Sequence, residues 1–140
     1  MDNFAADAIF VDAPASRVFS ALLDPEEILV WMDADSAVVE ADVSGEFTAE
    51  RADGSTVSGS ISALEPDELL EISDYYYEAL GERRGPMVLR FILEPRDEGV
   101  WLVVRQEGLD TGADWHSFAK TVRKDLLAIT LALKRHIEQI

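Results

Sequence analysis

The C-terminal segment of the chain places the strongest constraint on its fold. From Trp115 to Ile140 the apolar residues recur every three or four positions, and neither glycine nor proline interrupts them. This spacing is typical of an amphipathic helix of about seven turns, or roughly 40 Å. A helix of that length with one apolar face has to pack against a second layer of structure.

The chain ahead of this helix changes to an apolar period of two, which is typical of β-strands. Turn-forming pairs such as Asp53-Gly54 separate predicted strands at residues 46–50, 57–63, 70–76, 87–93 and 100–106, of which 87–93 is apolar nearly throughout. A short strand at residues 8–11 comes before them, and two short helices begin near Pro14 and Asp24-Pro25. The glycines and the proline of segment 81–86 indicate an exposed loop.

This order of elements predicts one α+β domain spanning residues 1–140. We expect a curved antiparallel β-sheet wrapped around the long C-terminal helix, with two short helices after the first strand. A sheet that bends around a helix leaves space between the two layers, so an internal cavity is also expected.

Composition and charge narrow the range of functions. The 140 residues include 12 Lys and Arg against 28 Asp and Glu, a net charge of −16, and no cysteine. Such an acidic surface repels nucleic-acid backbones and anionic lipids, and the lack of cysteine excludes disulfides and thiolate chemistry. The sequence has neither an apolar stretch of membrane-spanning length nor a signal-peptide pattern at Met1. We therefore expect a cytoplasmic protein with no nucleic-acid partner and no membrane insertion.

Metal and cofactor sites are not indicated by the sequence. His116 and His136 lie 20 residues apart on the predicted helix. That separation is roughly 30 Å along the helix axis, so the two side chains cannot share an ion. The sequence contains no metal-ligand spacing, no Gly-rich phosphate loop and no serine nucleophile motif. We expect neither a metal nor a cofactor.

Short motifs spread over the whole chain resemble those of a known superfamily. In chain order they are Pro14-Ala15, Val18-Phe19, Ala21-Leu22, Asp24-Pro25-Glu26, Trp31, Gly45, Phe47, Asp53-Gly54, Gly59, Glu65-Pro66, Leu69-Leu70, Phe91-Ile92-Leu93-Glu94-Pro95 and Glu107-Gly108-Leu109. In this order and spacing they resemble the START-like helix-grip domains, the SRPBCC superfamily. Within it they are most similar to the group related to the C-terminal domain of the activator of Hsp90 ATPase.

The resemblance implies a helix-grip fold with a hydrophobic cavity under the long helix, and it leaves three functions open. Superfamily members bind lipids, hormones, polyketides or other small apolar molecules, so the first is binding of a small hydrophobic or amphipathic ligand. The second is a chaperone-related or other protein-interaction module, because the activator stimulates a chaperone ATPase. The third is a polyketide cyclase-like or hydrolase-like enzyme. A fold shared by binders and enzymes does not decide between them.

Large apolar side chains on the inner face are the candidate ligand wall. They are Trp31, Phe47, Ile61, Ile72, Phe91, Trp115, Phe118 and Val122. A sheet-and-helix core needs such groups in any case, so ordinary core packing is the alternative for each of them.

Strand alternation also predicts polar groups on the concave face. Asp74 and Tyr76 follow Ile72 on one strand, and Gln106 follows Val104 on another. Related sequences often carry an aromatic residue near Asp74 and His near Gln106, so both positions depart from the family pattern. A carboxylate in an apolar cavity suits acid–base chemistry, which makes Asp74 the catalytic candidate and Tyr76 and Gln106 ligand-binding candidates. The alternatives are a solvated Asp74 and the reverse orientation of the tyrosines.

The opposite, convex face of the sheet is predicted to be unusually apolar. Alternation places Val88, Ile92, Trp101 and Val103 there, beside two arginines. A solvated antiparallel sheet is normally polar on its outer face, and an exposed apolar patch marks a protein contact. We expect a homodimer interface at these four residues, unless segment 78–86 covers them.

Overall fold

The computed structural model describes residues 4–109 and 113–139, which form seven strands and three helices. In chain order the elements are β1 (Phe4–Val11), α1 (Ala15–Leu23), α2 (Pro25–Trp31), β2 (Ala34–Val39), β3 (Glu46–Arg51), β4 (Thr56–Glu65), β5 (Leu69–Ala79), β6 (Glu82–Arg96), β7 (Gly99–Glu107) and α3 (Ala113–Glu138).

The strands form one antiparallel sheet in the order β1-β7-β6-β5-β4-β3-β2. The long helix α3 packs along the inner face and makes more of its contacts with β1 than with any other strand. At its end, Lys134 Nζ donates to the Phe10 carbonyl at 2.7 Å, which ties the last turns to this edge strand. This confirms the predicted α+β helix-grip fold. The predicted last helical residue, Ile140, lies outside the described residues.

The two short helices begin where their sequences predict. Asp24 caps α2 because its carboxylate accepts a hydrogen bond from the Glu26 amide at 2.9 Å, and Pro25 occupies the first helical position. The two helices are then joined by Trp31, whose Nε1 donates to the Ala21 carbonyl at 2.8 Å. The pair therefore folds as a unit over one end of the core.

The sheet is larger than the sequence predicted. Strand β2 was not predicted, and β1 begins four residues before the expected strand at 8–11. The expected loop at 81–86 is wrong, because β5 and β6 continue to a two-residue turn at Leu80-Gly81. Both turn residues have positive φ, 53° and 80°, which matches the tight turns that join twisted antiparallel strands. Residues 82–84 are all charged, so they lack the apolar alternation from which a strand is predicted.

Candidate functional site

Strand β5 contains an irregularity that reverses which side chains face the core. Ile72 pairs with Leu89 and Tyr75 with Met87, so the strand has one residue more than its partner between these pairs. Asp74 lies in this bulge with a φ of 48°, a left-handed conformation that Asp tolerates better than most residues. Alternation counted through the bulge therefore gives the wrong face for every later residue of the strand.

The bulge corrects two of the predicted site residues. Asp74 is exposed, not part of the concave face, and Tyr76 lies on the outer face under the guanidinium of Arg83, 3.7 Å from its ring centroid. Tyr75 and Tyr77 point inward instead. Burial raises the pKa of the Tyr75 phenol. The enzymatic hypothesis depended on an inward Asp74 and loses that support.

Five of the predicted wall residues are core residues. Each has an exposed fraction of 2% or less: Trp31, Phe47, Ile61, Ile72 and Phe91. The rings of Trp31 and Phe91 pack edge to face, with centroids 5.9 Å apart. Side chains thus occupy the part of the interface where the internal cavity was expected.

Gln106 lies on the inner face, as its alternation predicts. It is 6% exposed, pairs across the strands with Leu89, and donates from Nε2 to the sulfur of Met87 at 3.1 Å. A buried amide needs such partners to offset its desolvation. This contact makes Gln106 part of the packed core beside Tyr75.

The inner layer opens at the end of the sheet where α3 begins. Here Tyr77, Arg84 and Phe118 surround a pocket of about 310 Å³, which Ala79, Leu80, Glu82, Ser117 and Thr121 complete. The rings of Tyr77 and Phe118 lie 5.3 Å apart. Trp115 packs edge-on against Phe118 behind them, with centroids 5.4 Å apart. Val122 is buried one turn further along α3.

A second pocket of about 280 Å³ continues this opening along α3. It shares Tyr77 and Thr121 with the first and is otherwise lined by Arg51, Asp53, Lys124, Asp125 and Ala128. We call the two pockets together the aromatic groove. Its combined extent reaches the size of small-molecule sites, about 300–1,000 Å³.

A bidentate ion pair between β3 and α3 forms the floor of the second pocket. Arg51 donates to both carboxylate oxygens of Asp125 at 2.8 Å, and its Nε donates to the Met32 carbonyl at 3.1 Å. Burial acts to lower the pKa of Arg51, but hydrogen bonding to Asp125 and the charge of that carboxylate raise it above its ordinary value. Nearby, hydrogen bonds from the Ser55 hydroxyl and amide lower the pKa of Asp53.

The groove residues Tyr77, Leu80, Arg84 and Thr121 were not predicted as site residues. A second irregularity, between the pairs Tyr75–Met87 and Tyr77–Arg84, turns Arg84 to the inner face opposite Tyr77. Thr121 lies one helical turn after Phe118, so the helical period alone could have placed it on the same edge. No comparable signal pointed to Arg84, since its segment was interpreted as a loop.

Two other pockets are larger but less suited to a ligand. One, of about 390 Å³, lies among the charged turn residues around Asp12 and Arg96. The other, of about 480 Å³, lies on the outside of α2 and α3 beside Val30 and His136, with no aromatic wall. Only in the groove do aromatic side chains meet where the two layers separate, which is why we take it as the candidate site among the described residues.

The convex face carries several apolar side chains. Ile92, Val103 and Ala8 are directly opposed across β6, β7 and β1, and Trp101 is opposite Phe10, their ring centroids 6.1 Å apart. Trp101 is 39% exposed. We call this surface the convex patch, formed by Ala8, Phe10, Leu69, Val88, Ile92, Trp101 and Val103.

A row of alternating charges crosses the convex patch. Arg90 pairs with both Glu71 and Glu107, and Arg105 pairs with Glu107. Hydrogen bonds from Arg90 and Arg105 lower the pKa of Glu107. The pKa of Glu71 is lowered first by a hydrogen bond from the Ser62 hydroxyl and then by Arg90. The outer face therefore presents both signs of charge beside apolar side chains.

An open antiparallel sheet gripped by one long helix, with an amphipathic groove where the layers part, defines a helix-grip domain. The family described as Activator of Hsp90 ATPase homolog 1-like protein matches residues 12–129, and the chain belongs to it. No curated protein matches the chain in sequence. None of the described helices is both long and apolar enough to cross a membrane.

Solved structures share this fold at low sequence identity. The protein MLL2253 from Mesorhizobium loti is 18% identical over 97% of both chains, with a TM-score of 0.80. The protein CV1439 from Chromobacterium violaceum is 22% identical over 97% of this chain and 98% of its own, with a TM-score of 0.75. The Aha1 dimer from Colwellia psychrerythraea is 14% identical over 96% of both chains, with a TM-score of 0.76. At these identities the likeness concerns the fold.

Proposed function

We propose that the protein binds a small amphipathic molecule in the aromatic groove. The observation that carries this proposal is the meeting of Tyr77 and Phe118 where α3 and the sheet separate. The wall combines flat aromatic surface with a few hydroxyl and charged groups, the composition typical of small-molecule sites. The ligand would lie at the mouth between helix and sheet, not in the packed interior first expected.

Leu80 supports the same proposal. It stands at the tip of the β5–β6 turn with its side chain fully exposed, and it borders the groove beside Phe118. An exposed leucine in a left-handed turn position is unfavourable both for its hydration and for its backbone. Contact with the apolar body of a ligand would offset that cost.

Filling the groove tests the proposal without disturbing the core. Thr121→Trp places a bulky ring at the exposed position that borders both pockets, and we expect it to weaken binding of a naphthalene probe by about tenfold or more. Fluorescence titration with N-phenyl-1-naphthylamine and its 8-sulfonate, 8-anilinonaphthalene-1-sulfonate, measures this. Native mass spectrometry of the purified protein would show whether it already carries a bound molecule.

Lys120→Trp is the matched control for that substitution. Lys120 is exposed on the same helix, one residue earlier, and does not line either pocket. The control should bind both probes as the unmodified protein does. Equal binding of both probes to the two tryptophan variants would show that the probes bind elsewhere, and the proposed function would be abandoned.

We infer, as a second function, self-association through the convex patch. Its apolar row and its alternating charges lie on one surface, so two copies related by a two-fold axis can set arginine against glutamate. The Colwellia psychrerythraea structure is described as a dimer. The net charge of −16 opposes association of two copies, so the apolar contacts of the patch have to outweigh this repulsion.

Trp101→Glu is expected to separate the dimer. A tryptophan buried in an interface often contributes about 2 kcal/mol or more, so the dissociation constant should rise by about thirtyfold or more. Sedimentation velocity over a range of concentrations measures it. Val38→Glu, a similar change at an exposed residue of edge strand β2, should leave association unaltered. A monomer at the highest concentrations of the unmodified protein would refute the inference.

A further inference from the structure

We propose that the ligand of the aromatic groove is an anion whose carboxylate or sulfonate head is bound by Arg84, while its apolar body lies against Tyr77, Leu80 and Phe118. This inference rests on the proposed function and names the chemical class of its ligand. It starts from Arg84, the one basic side chain among the described residues that line the first pocket.

The guanidinium of Arg84 is held in place by aromatic rings. Its central carbon lies 5.3 Å from the ring centroids of both Trp115 and Phe118, and its side chain is only 20% exposed. Packing on these rings fixes the plane of the guanidinium before any ligand arrives. A fixed, planar donor loses little conformational entropy when it binds an oxyanion with two parallel hydrogen bonds.

The carboxylate that Arg84 contacts is easily replaced. Glu82 pairs with it at 3.1 Å, but the Glu82 side chain is 71% exposed, so solvent screens the pair and its contribution to stability is small. A ligand oxyanion that arrives with an apolar body can displace Glu82 to solvent at little cost. The ligand also gains binding free energy from the apolar area that its body buries against the ring of Phe118.

The other acidic side chains that the structure describes in the groove are already hydrogen-bonded within the protein. Asp125 is occupied by Arg51, and Asp53 accepts from the hydroxyl and amide of Ser55 within its own turn. Lys124 adds a further cation to the lining. The three basic and three acidic side chains described in the groove balance, so on a chain with a net charge of −16 this surface repels an anion less than the rest of the protein does.

The test compares two probes that differ by a single sulfonate group. N-phenyl-1-naphthylamine is neutral, whereas 8-anilinonaphthalene-1-sulfonate carries a sulfonate on the same ring system. We expect the sulfonate to bind about tenfold more tightly at low salt, since a hydrogen-bonded ion pair at a half-buried arginine is stronger than a neutral contact. Arg84→Gln should remove this preference, so that the ratio of the two affinities falls to about one.

Two further variants control the comparison. Arg84→Lys retains the charge without the planar fork and should keep part of the preference. Arg83→Gln removes the neighbouring charge, which lies on the opposite face over Tyr76, and should have no effect. A thermal melt of each variant establishes that it is folded before titration.

The outcomes separate this inference from the function on which it rests. Equal affinity for the two probes, with Thr121→Trp still blocking both, would overturn the anion assignment and leave ligand binding in the groove intact. A preference for the sulfonate that survives Arg84→Gln would also overturn it. If Thr121→Trp changes the affinity of neither probe, the groove is not the binding site.

Discussion

Replacing Trp31 by alanine is expected to lower the free energy of unfolding by about 3–5 kcal/mol, the range for a large aromatic removed from a packed core. The ring is 2% exposed, packs on Phe91, and its Nε1 satisfies the Ala21 carbonyl between α1 and α2. The substitution therefore leaves a cavity and, at the same time, a buried carbonyl without its donor. Urea unfolding monitored by circular dichroism measures the change.

The same experiment separates the two interpretations of the predicted ligand wall. Truncating a residue that borders an open cavity creates little additional void. A decrease in the free energy of unfolding of less than about 1 kcal/mol would therefore indicate that the interior is open in solution. Val38→Ala, at a residue 50% exposed, should change stability by no more than about 0.5 kcal/mol. Provided that Trp31→Ala remains folded, it should still bind the naphthalene probes, because Trp31 does not line the groove.

The sequence was sufficient for the fold wherever the apolar period was long and regular. The helical period after Trp115 predicted α3, and Asp24-Pro25 predicted the start of α2, because both signals are local. Strand β2 escaped prediction because a short edge strand pairs on one side only and needs little apolar alternation. The start of β6 was not predicted, because its first residues are charged and pair with β5 across a tight turn.

The candidate site was less predictable, because it depends on register. The bulge at Asp74 adds one residue to β5, and that single residue exchanges Tyr76 for Tyr75 and Tyr77 on the inner face. The apolar period of a strand does not show where a bulge lies, since contacts with the neighbouring strand decide its position. Gly59 in β4 is such a constraint: a Cβ there would lie 2.5 Å from Ile72 Cγ2 and 2.9 Å from the Ser73 carbonyl oxygen.

The ion pair beneath the groove should behave as a structural clamp. Arg51 joins β3, the end of α2 and the middle of α3 through one guanidinium, and its side chain is 13% exposed against 29% for Asp125. Asp125→Asn removes the charge and keeps the shape, which leaves a largely buried guanidinium without its counter-ion. Fully buried pairs cost about 3–5 kcal/mol when broken and exposed pairs about 1 or less, so we expect about 2–3 kcal/mol here.

Removing both charges should cost less than removing one. In Arg51→Met with Asp125→Leu, apolar side chains of similar length replace the pair, and no uncompensated charge remains buried. We expect the double variant to be more stable than Asp125→Asn by about 1 kcal/mol or more in urea unfolding. Glu78→Ala, which breaks the exposed Arg83–Glu78 pair, should change stability by about 0.5 kcal/mol or less. A double variant less stable than Asp125→Asn would contradict this prediction. It would mean that the hydrogen bonds of Arg51, including that to Met32, contribute more to stability than burial of the Arg51 charge costs.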